Sequence, residues 1–252
     1  MRLGFHILKL NKMSTFNLDN FKLNKYDILS DLEQYNHFFD HTFELIENEW
    51  SNPTPKIVRT WREDWTSNPA GPILRNILYV NQISDQTVED IKGFLLESGI
   101  RGKLESLFGY NIGVCNIRAY RYTHNPPDAK THFEDNLDYG GEFQPHIDDF
   151  GCPVYKIMLY KSRDSELLTE DHGITQINTS KGWITPLTEE SVLGVIFAPH
   201  LLYHRADNPK EGRIRDTIEI TIIRRNNPDF LVVSAGAQAG RPKDFNKWDK
   251  MT

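Results

Sequence analysis

The stretch GRIRDTIEITII, residues 212–223, carries apolar side chains at every second position from Ile218 to Ile222. Strict alternation is typical of a β-strand, in which successive side chains point to opposite faces. Arg213 and Arg215 have the other parity, so they would point away from the isoleucines. Similar β-rich runs begin near residue 112 and are separated by turn residues. These runs are Val114–Tyr122, Tyr155–Tyr160, Ile174–Ile177, Val192–Ala198, Ile214–Ile223 and Phe230–Val233.

The first hundred residues are predicted to be mostly helical. Residues 30–33 (SDLE) have the spacing of a capping box, and apolar residues at helical spacing follow from Leu32 to Trp50. Ser84 begins a second predicted helix, which Gly99 would end.

Helices followed by many short strands predict an α+β domain whose strands close into a sandwich or barrel. We expect a mainly helical extension, residues 1–111, to pack on a strand-rich core, residues 112–252, as one structural unit. The segment 124–142 has no clear period, and a loop of this length in a compact domain is often a lid over a binding site. Met13 is as suitable a start as Met1, so no function is inferred from the residues before it.

The composition of the 252-residue chain argues against several classes of protein. The net charge of −6 does not suit a nucleic-acid-binding surface, which needs a concentrated basic face. The apolar runs are too short for a membrane helix. Cys115 and Cys152 are too few for a disulfide framework or a thiolate metal cage, so a reducing, cytoplasmic setting is expected. The oligomeric state is left open.

A candidate metal site begins in the sequence QPHID, residues 144–148. On a strand, His146 and Asp148 would point to the same side, where an imidazole and a carboxylate can hold one cation together. His204 supplies a third candidate ligand. Two histidines and one carboxylate on one face of a metal leave positions open, an arrangement suited to non-haem Fe(II) and O2 chemistry. The same H-x-[DE] pattern occurs at His132 and Glu134, but in a polar loop without a strand signal.

The ordered set of these motifs resembles the 2-oxoglutarate- and Fe(II)-dependent oxygenase superfamily, particularly its prolyl-hydroxylase-like and phytanoyl-hydroxylase-like branches. The family pattern is H-x-D, a gap, a histidine, and then a basic residue that opens the last strand. The resemblance covers roughly residues 112–224 and implies a double-stranded β-helix, or jelly-roll, core. It implies Fe(II) as the metal cofactor, 2-oxoglutarate and O2 as cosubstrates, and ascorbate as a stimulant. The implied reaction couples oxidative decarboxylation of 2-oxoglutarate to oxidation, usually hydroxylation, of a bound substrate.

The resemblance also requires a cation for the far carboxylate of 2-oxoglutarate. Arginine offers a permanent charge and a two-pronged donor for such a group. Arg215 is preferred over Arg213 because Arg215-Asp-Thr217 matches the R-x-[ST] of the family, while Arg213 is expected to form a surface ion pair. Tyr160 and Tyr122 are further candidates for binding the same carboxylate, with ordinary core packing as the alternative for each.

Two other residues resemble ligands but have simpler explanations. His200 follows Ala-Pro and is predicted to be a turn residue, because the family pattern puts the ligand just before Arg205. Cys152 lies close after the H-x-D, although a small buried thiol is its commoner role.

Two alternatives to the oxygenase remain at this point. A cupin-like metalloenzyme would keep the three ligands without needing Arg215 or 2-oxoglutarate. A non-catalytic jelly-roll binding module would need no metal. For the oxygenase, the expected substrate is a small polar molecule, with a protein side chain or a sugar as alternatives. The acidic residues of the loop 124–142 would suit a polar or amine-bearing molecule, although a solvated loop is the commoner explanation of such a composition.

Overall fold

The computed structural model describes residues 15–51, 58–60, 75–79, 84–124, 145–148, 152–163, 167–207 and 209–225. Within them, a seven-stranded antiparallel sheet dominates the fold. Its strands, in spatial order, are β1 (Tyr26–Leu29), β8 (Val192–Phe197), β5 (Val154–Ser162), β10 (Ile214–Arg224), β4 (Ile112–Thr123), β3 (Arg75–Tyr79) and β2 (Val58–Thr60). A smaller antiparallel sheet has the order β7 (Gly182–Ile184), β6 (Gln176–Thr179) and β9 (His204–Arg205).

The strand predicted from residues 212–223 lies at the centre of the large sheet. β10 pairs with β4 from Ile214 to Arg224 and with β5 from Arg215 to Ile223. Its even-numbered isoleucines join one hydrophobic cluster, whereas Arg215 and the other odd-numbered residues face the opposite side. The predicted alternation of this strand is therefore confirmed.

Helices cover one face of the large sheet. They are α1 (Leu18–Asn24), α2 (Asp40–Ser51), α3 (Asp85–Glu97) and α4 (Ile100–Phe108), together with a 3₁₀ helix (Leu32–Phe38). Their apolar side chains form one buried cluster with those of the sheet, including Phe39, Ile91, Phe94, Ile157, Ile218 and Ile220. Burial of this apolar surface is the main force that holds the helices on the sheet.

The small sheet covers the opposite face of the large one. A second buried cluster joins side chains from both sheets, among them Tyr120, Met158, Tyr160, Ile177, Val195 and Phe197. A short 3₁₀ helix, Glu170–His172, lies between β5 and β6 in the chain. The described residues thus form three layers: helices, large sheet and small sheet. The predicted α+β class is confirmed.

The predicted capping box at residues 30–33 is wrong. Asp31 has a left-handed backbone (φ 55°) and its side chain makes no capping hydrogen bond. Instead, the carboxylate of Glu190 accepts hydrogen bonds from the backbone N–H groups of Asp31 (2.8 Å) and Leu32 (2.6 Å). The residues that follow begin as a 3₁₀ helix and become α-helical only from Asp40. A partner so distant in sequence overrides the local signal.

The second predicted helix is confirmed, because the Ser84 hydroxyl accepts a hydrogen bond from the backbone N–H of Thr87 at the start of α3. Gly99 follows it with φ 71°, as a terminator should. However, α4 begins directly after Gly99 and was not predicted.

The expectation that the first hundred residues are mostly helical omitted β1, β2 and β3, all of which join the large sheet. The division between residues 1–111 and 112–252 stays a prediction. Three further expectations lie outside the described residues: the strand Phe230–Val233, most of the segment 124–142, and the choice between Met1 and Met13. Among the described helices, none has the length and apolar character needed to cross a membrane.

Candidate metal centre

Backbone pairing brings the two candidate histidines directly opposite each other. His146 and His204 exchange both of their backbone hydrogen bonds, each 3.0 Å long. The N–H of Asp148 donates to the carbonyl of Pro199 at 3.0 Å, which holds this segment against the turn that begins at Pro199. A reciprocal pair of this kind sets both side chains on one face of an antiparallel ladder.

The side chains of His146, Asp148 and His204 converge. One ligand atom from each lies within 4.8 Å of the others. The Oδ1 atom of Asp148 is 3.6 Å from Nε2 of His146 and 3.8 Å from Nε2 of His204. A cation bound at about 2.1 Å by each would need donors roughly 3 Å apart. The two distances from Asp148 exceed this value by less than about 1 Å, so rotation of the side chains could bring the three donors onto one cation.

His204 is prepared to act as a neutral ligand. Its Nδ1 lies 3.1 Å from the carbonyl oxygen of Leu202, so Nδ1–H donates there and the Nε2 lone pair faces Asp148. Burial lowers the pKa of His204 from 6.5 to about 4, against the opposing effect of the Asp148 carboxylate. The ring therefore keeps the deprotonated nitrogen that metal binding requires at neutral pH.

Asp148 is held in its ionised form by a buried lysine. Burial opposes ionisation, but the positive charge of Lys156 is the main influence that outweighs it, and the pKa of Asp148 is lowered. The Nζ atom of Lys156 is 2.6 Å from Oδ2 of Asp148 and 3.5 Å from Oε1 of Glu219. Glu219 in turn forms an ion pair with Arg118.

Sequence reasoning missed Lys156, Glu219 and Arg118. Their signal was a charged residue at an inward position of an otherwise apolar strand, since Lys156 lies in VYKIML and Glu219 in TIEITI. Charged side chains are rarely buried unless they are paired, so such positions identify candidates for a functional network.

Arg215 is buried on the inner face of β10, with 1% of its surface exposed. Its guanidinium lies 4.5 Å from the ring centre of Tyr122 and 5.3 Å from that of Tyr160. Nε and Nη1 make no hydrogen bond to any residue that the structure describes. A carboxylate ligand would suit this guanidinium. It would neutralise the buried positive charge and accept hydrogen bonds from Nε–H and Nη1–H.

The two predicted tyrosines thus flank Arg215. The hydroxyl of Tyr160 donates to the hydroxyl of Thr175 at 2.7 Å, and both tyrosines are buried. Arg213, by contrast, precedes β10 in a turn and is only partly buried. It lies close enough to Asp171 to help lower the pKa of that surface carboxyl, after the larger effect of Lys210.

The other two candidates are not among the three converging side chains. His200 occupies a turn, as predicted, and its Nδ1 is 2.7 Å from the carbonyl oxygen of Val154 at the start of β5. Cys152 packs beside a small cluster of Cys115, Val154 and Ile223. His132 and Glu134 lie outside the described residues.

Comparison with known proteins finds similarity in structure but not in sequence. No family model and no curated protein sequence matches the chain. The non-heme alpha ketoglutarate dependent epimerase SnoN from nogalamycin biosynthesis superposes with a TM-score of 0.56 at 10% identity, over 88% of this chain and 90% of SnoN. SnoN has also been solved in complex with Fe3+, alpha ketoglutarate and nogalamycin RO.

Two further enzymes are similar as well. A Pseudomonas putida prolyl-4-hydroxylase gives a TM-score of 0.52 at 12% identity, over 83% of this chain and 97% of its own. The nickel complex of the non-heme monooxygenase ThoJ gives 0.50 at 8% identity, over 83% and 78%. These enzymes share an architecture, and at such low identity the likeness concerns the fold. The chain therefore has the fold of the 2-oxoglutarate- and Fe(II)-dependent oxygenase superfamily, as its motifs predicted.

Proposed function

We propose that the chain is a 2-oxoglutarate- and Fe(II)-dependent dioxygenase that hydroxylates a C–H bond of a small polar substrate. Its core would be a double-stranded β-helix over residues 112–252, with residues 1–111 packed outside it. One observation carries the proposal: a convergent His146–Asp148–His204 set shares the space between the sheets with Arg215, a buried cation whose donors suit a carboxylate.

The three converging side chains would hold Fe(II). A site of two histidines and one carboxylate leaves about three octahedral positions open, which suits a chelating cosubstrate and O2. Bound iron would supply the activation of O2 that no amino-acid side chain provides. His204 would offer the metal a neutral ring nitrogen, and Asp148 would offer an ionised carboxylate oxygen. The lowered pKa values of both groups support these states.

Arg215 would bind the far carboxylate of 2-oxoglutarate, flanked by Tyr122 and Tyr160. A carboxylate buried without a cation is costly, and a guanidinium buried without an anion is costly too. Pairing the carboxylate with the guanidinium would reduce the cost of burying both charges between the sheets. The alternative partner, Arg213, is disfavoured because it lies outside β10 and near the surface carboxyl of Asp171.

The structure of SnoN with nogalamycin RO supports a small-molecule substrate. The neighbours include an epimerase, a hydroxylase and a monooxygenase, so hydroxylation is the outcome that we propose among several. Cys115 and Cys152 are thiols rather than a disulfide, which agrees with the cytoplasmic setting expected from the sequence.

The deciding experiment measures succinate release from 2-oxoglutarate with Fe(II), ascorbate and a panel of polar metabolites. Substrate-stimulated succinate release, absent from an Asp148→Ala control, would support the proposal. Metal-dependent turnover that needs no 2-oxoglutarate would favour a cupin-like enzyme. A protein that binds no metal at all would favour a non-catalytic binding module.

A further inference from the structure

The two carboxylate oxygens of Asp148 face different partners. Oδ1 is the atom near both histidines, 3.6 Å from His146 Nε2 and 3.8 Å from His204 Nε2. Oδ2 lies 2.6 Å from the ammonium of Lys156. A bound metal would therefore meet Oδ1, while Lys156 contacts Oδ2.

Lys156 is itself fixed from the other side. It lies on the inner face of β5 with 7% of its surface exposed, and Glu219 of the neighbouring strand lies 3.5 Å from its Nζ. Arg118 pairs with Glu219, and the hydroxyl of Tyr120 donates to the same carboxylate at 3.3 Å. Four charges thus alternate in sign from Asp148 to Arg118. These alternating charges stabilise the buried ammonium of Lys156 between the sheets, where an unpaired ammonium would be strongly disfavoured.

We propose that Lys156 is a positioning residue that restricts Asp148 to binding the metal through one oxygen. The proposal rests on the metal centre proposed above. A carboxylate can bind a divalent cation through one oxygen or both, and the two-oxygen mode uses an additional position. An ammonium on Oδ2 competes with the metal for that oxygen and so preserves the open positions.

Preserving those positions matters for the reaction. With one oxygen from Asp148 and two histidines, about three of the octahedral positions stay available. A chelating ketoacid needs two of them and O2 needs one. If Asp148 used both oxygens, the chelate would leave no position for O2. By keeping Oδ2 away from the metal, Lys156 would leave three positions open, two for the ketoacid and one for O2.

The ammonium has an electrostatic effect as well. A positive charge beside a metal ligand weakens the attraction of the site for a cation. Loss of the charge should therefore tighten metal binding while it reduces the number of open positions. This opposite response separates a positioning role from simple damage to the site, which would weaken binding.

The test uses the full chain loaded with Mn(II), and water-proton relaxation counts the exchangeable waters on the metal. We compare wild type with Lys156→Met and with a matched control on the same strand, Lys161→Met. Lys161 is 41% exposed and lies 4.0 Å from Asp40, away from the ligands. Wild type and Lys161→Met should carry about three waters, and Lys156→Met about two. The Kd for Mn(II) should fall on the order of tenfold in Lys156→Met only.

A second variant separates the effect of charge from the effect of position. Lys156→Met/Glu219→Gln removes one charge of each sign, so its Kd should return to within about threefold of wild type. Its water count should still be about two, because Oδ2 remains available to the metal. A count of three in this variant would assign the change to charge alone and overturn the positioning role.

The remaining outcomes distinguish the inference from the proposed function. If Lys156→Met matches wild type in both water count and Kd, the metal centre stands and the role of Lys156 is refuted. If wild type binds no Mn(II), or His204→Ala binds it equally well, the metal centre itself fails and this role fails with it.

Discussion

Replacing Arg215 by Met should have opposite effects on stability and on ligand binding. The guanidinium is 1% exposed, and two of its nitrogens make no hydrogen bond to any described residue. An uncompensated buried charge costs roughly 3–5 kcal/mol. Contacts with the rings of Tyr122 and Tyr160 return about 1 kcal/mol each. The neutral, similarly long Met should therefore raise the free energy of unfolding of the ligand-free protein by about 1–3 kcal/mol.

The same change should weaken 2-oxoglutarate binding. A buried charge-assisted pair contributes roughly 3 kcal/mol, so the Kd should rise on the order of a hundredfold. At a concentration of 2-oxoglutarate that is 100 times the wild-type Kd, binding stabilises wild type by about 2.7 kcal/mol. The variant should gain only about 0.4 kcal/mol under those conditions. Mn(II) binding should be unchanged, because no ligand is altered.

Urea unfolding of Mn(II)-loaded protein, with and without 2-oxoglutarate, measures both effects. Arg213→Met is the matched control and should leave the Kd within about threefold of wild type, since exposed ion pairs contribute little. A less stable Arg215→Met protein with undiminished 2-oxoglutarate binding would refute the reasoning. A large loss of binding in Arg213→Met alone would transfer the role to that residue.

Three further results are expected. Asp148→Ala should fold but lose turnover and most of its metal affinity, as circular dichroism and Mn(II) titration would show; full hydroxylation by this variant would contradict the metal assignment. The pKa of His204 is about 4 in the folded protein and 6.5 in the unfolded chain. As the pH falls below 6.5, the imidazole is protonated in the unfolded chain but not in the folded protein, so acidification lowers the free energy of unfolding. In urea titrations of metal-free protein, wild type should therefore lose about 2 kcal/mol more than His204→Gln between pH 7.5 and pH 5, and equal losses would exclude the shift. Glu190→Ala should cost about 1–3 kcal/mol of unfolding free energy by removing the acceptor for the N–H groups of Asp31 and Leu32, while Glu189→Ala serves as the neighbouring control.

The central strand and the candidate ligands could be identified without any structure. The isoleucines of β10 bury a regular stripe, so hydrophobic periodicity alone was enough to identify the strand and to assign Arg215 to its opposite face. His146 and Asp148 were found because i and i+2 positions share a side, which is a local property of extended backbone. The succession of helical and then strand-like patterns predicted the α+β class.

Tertiary structure decided what depends on distant partners. Nothing near residues 30–33 shows that Glu190 binds the backbone there, and the capping-box prediction failed for that reason. The strands β1 to β3 are short, and their place in the sheet comes from pairing with β8, β4 and each other rather than from their own sequence pattern.

The buried charged residues were also visible in the sequence, but their pairing was not. Lys156, Glu219 and Arg118 could be read only as charged residues in apolar strands until the register set them side by side. Charge pairing between strands depends on three-dimensional distance and on the exclusion of water, and neither quantity is present in a linear pattern. The sequence alone determined which side chains could carry the chemistry; the packing of two sheets decided which of them meet.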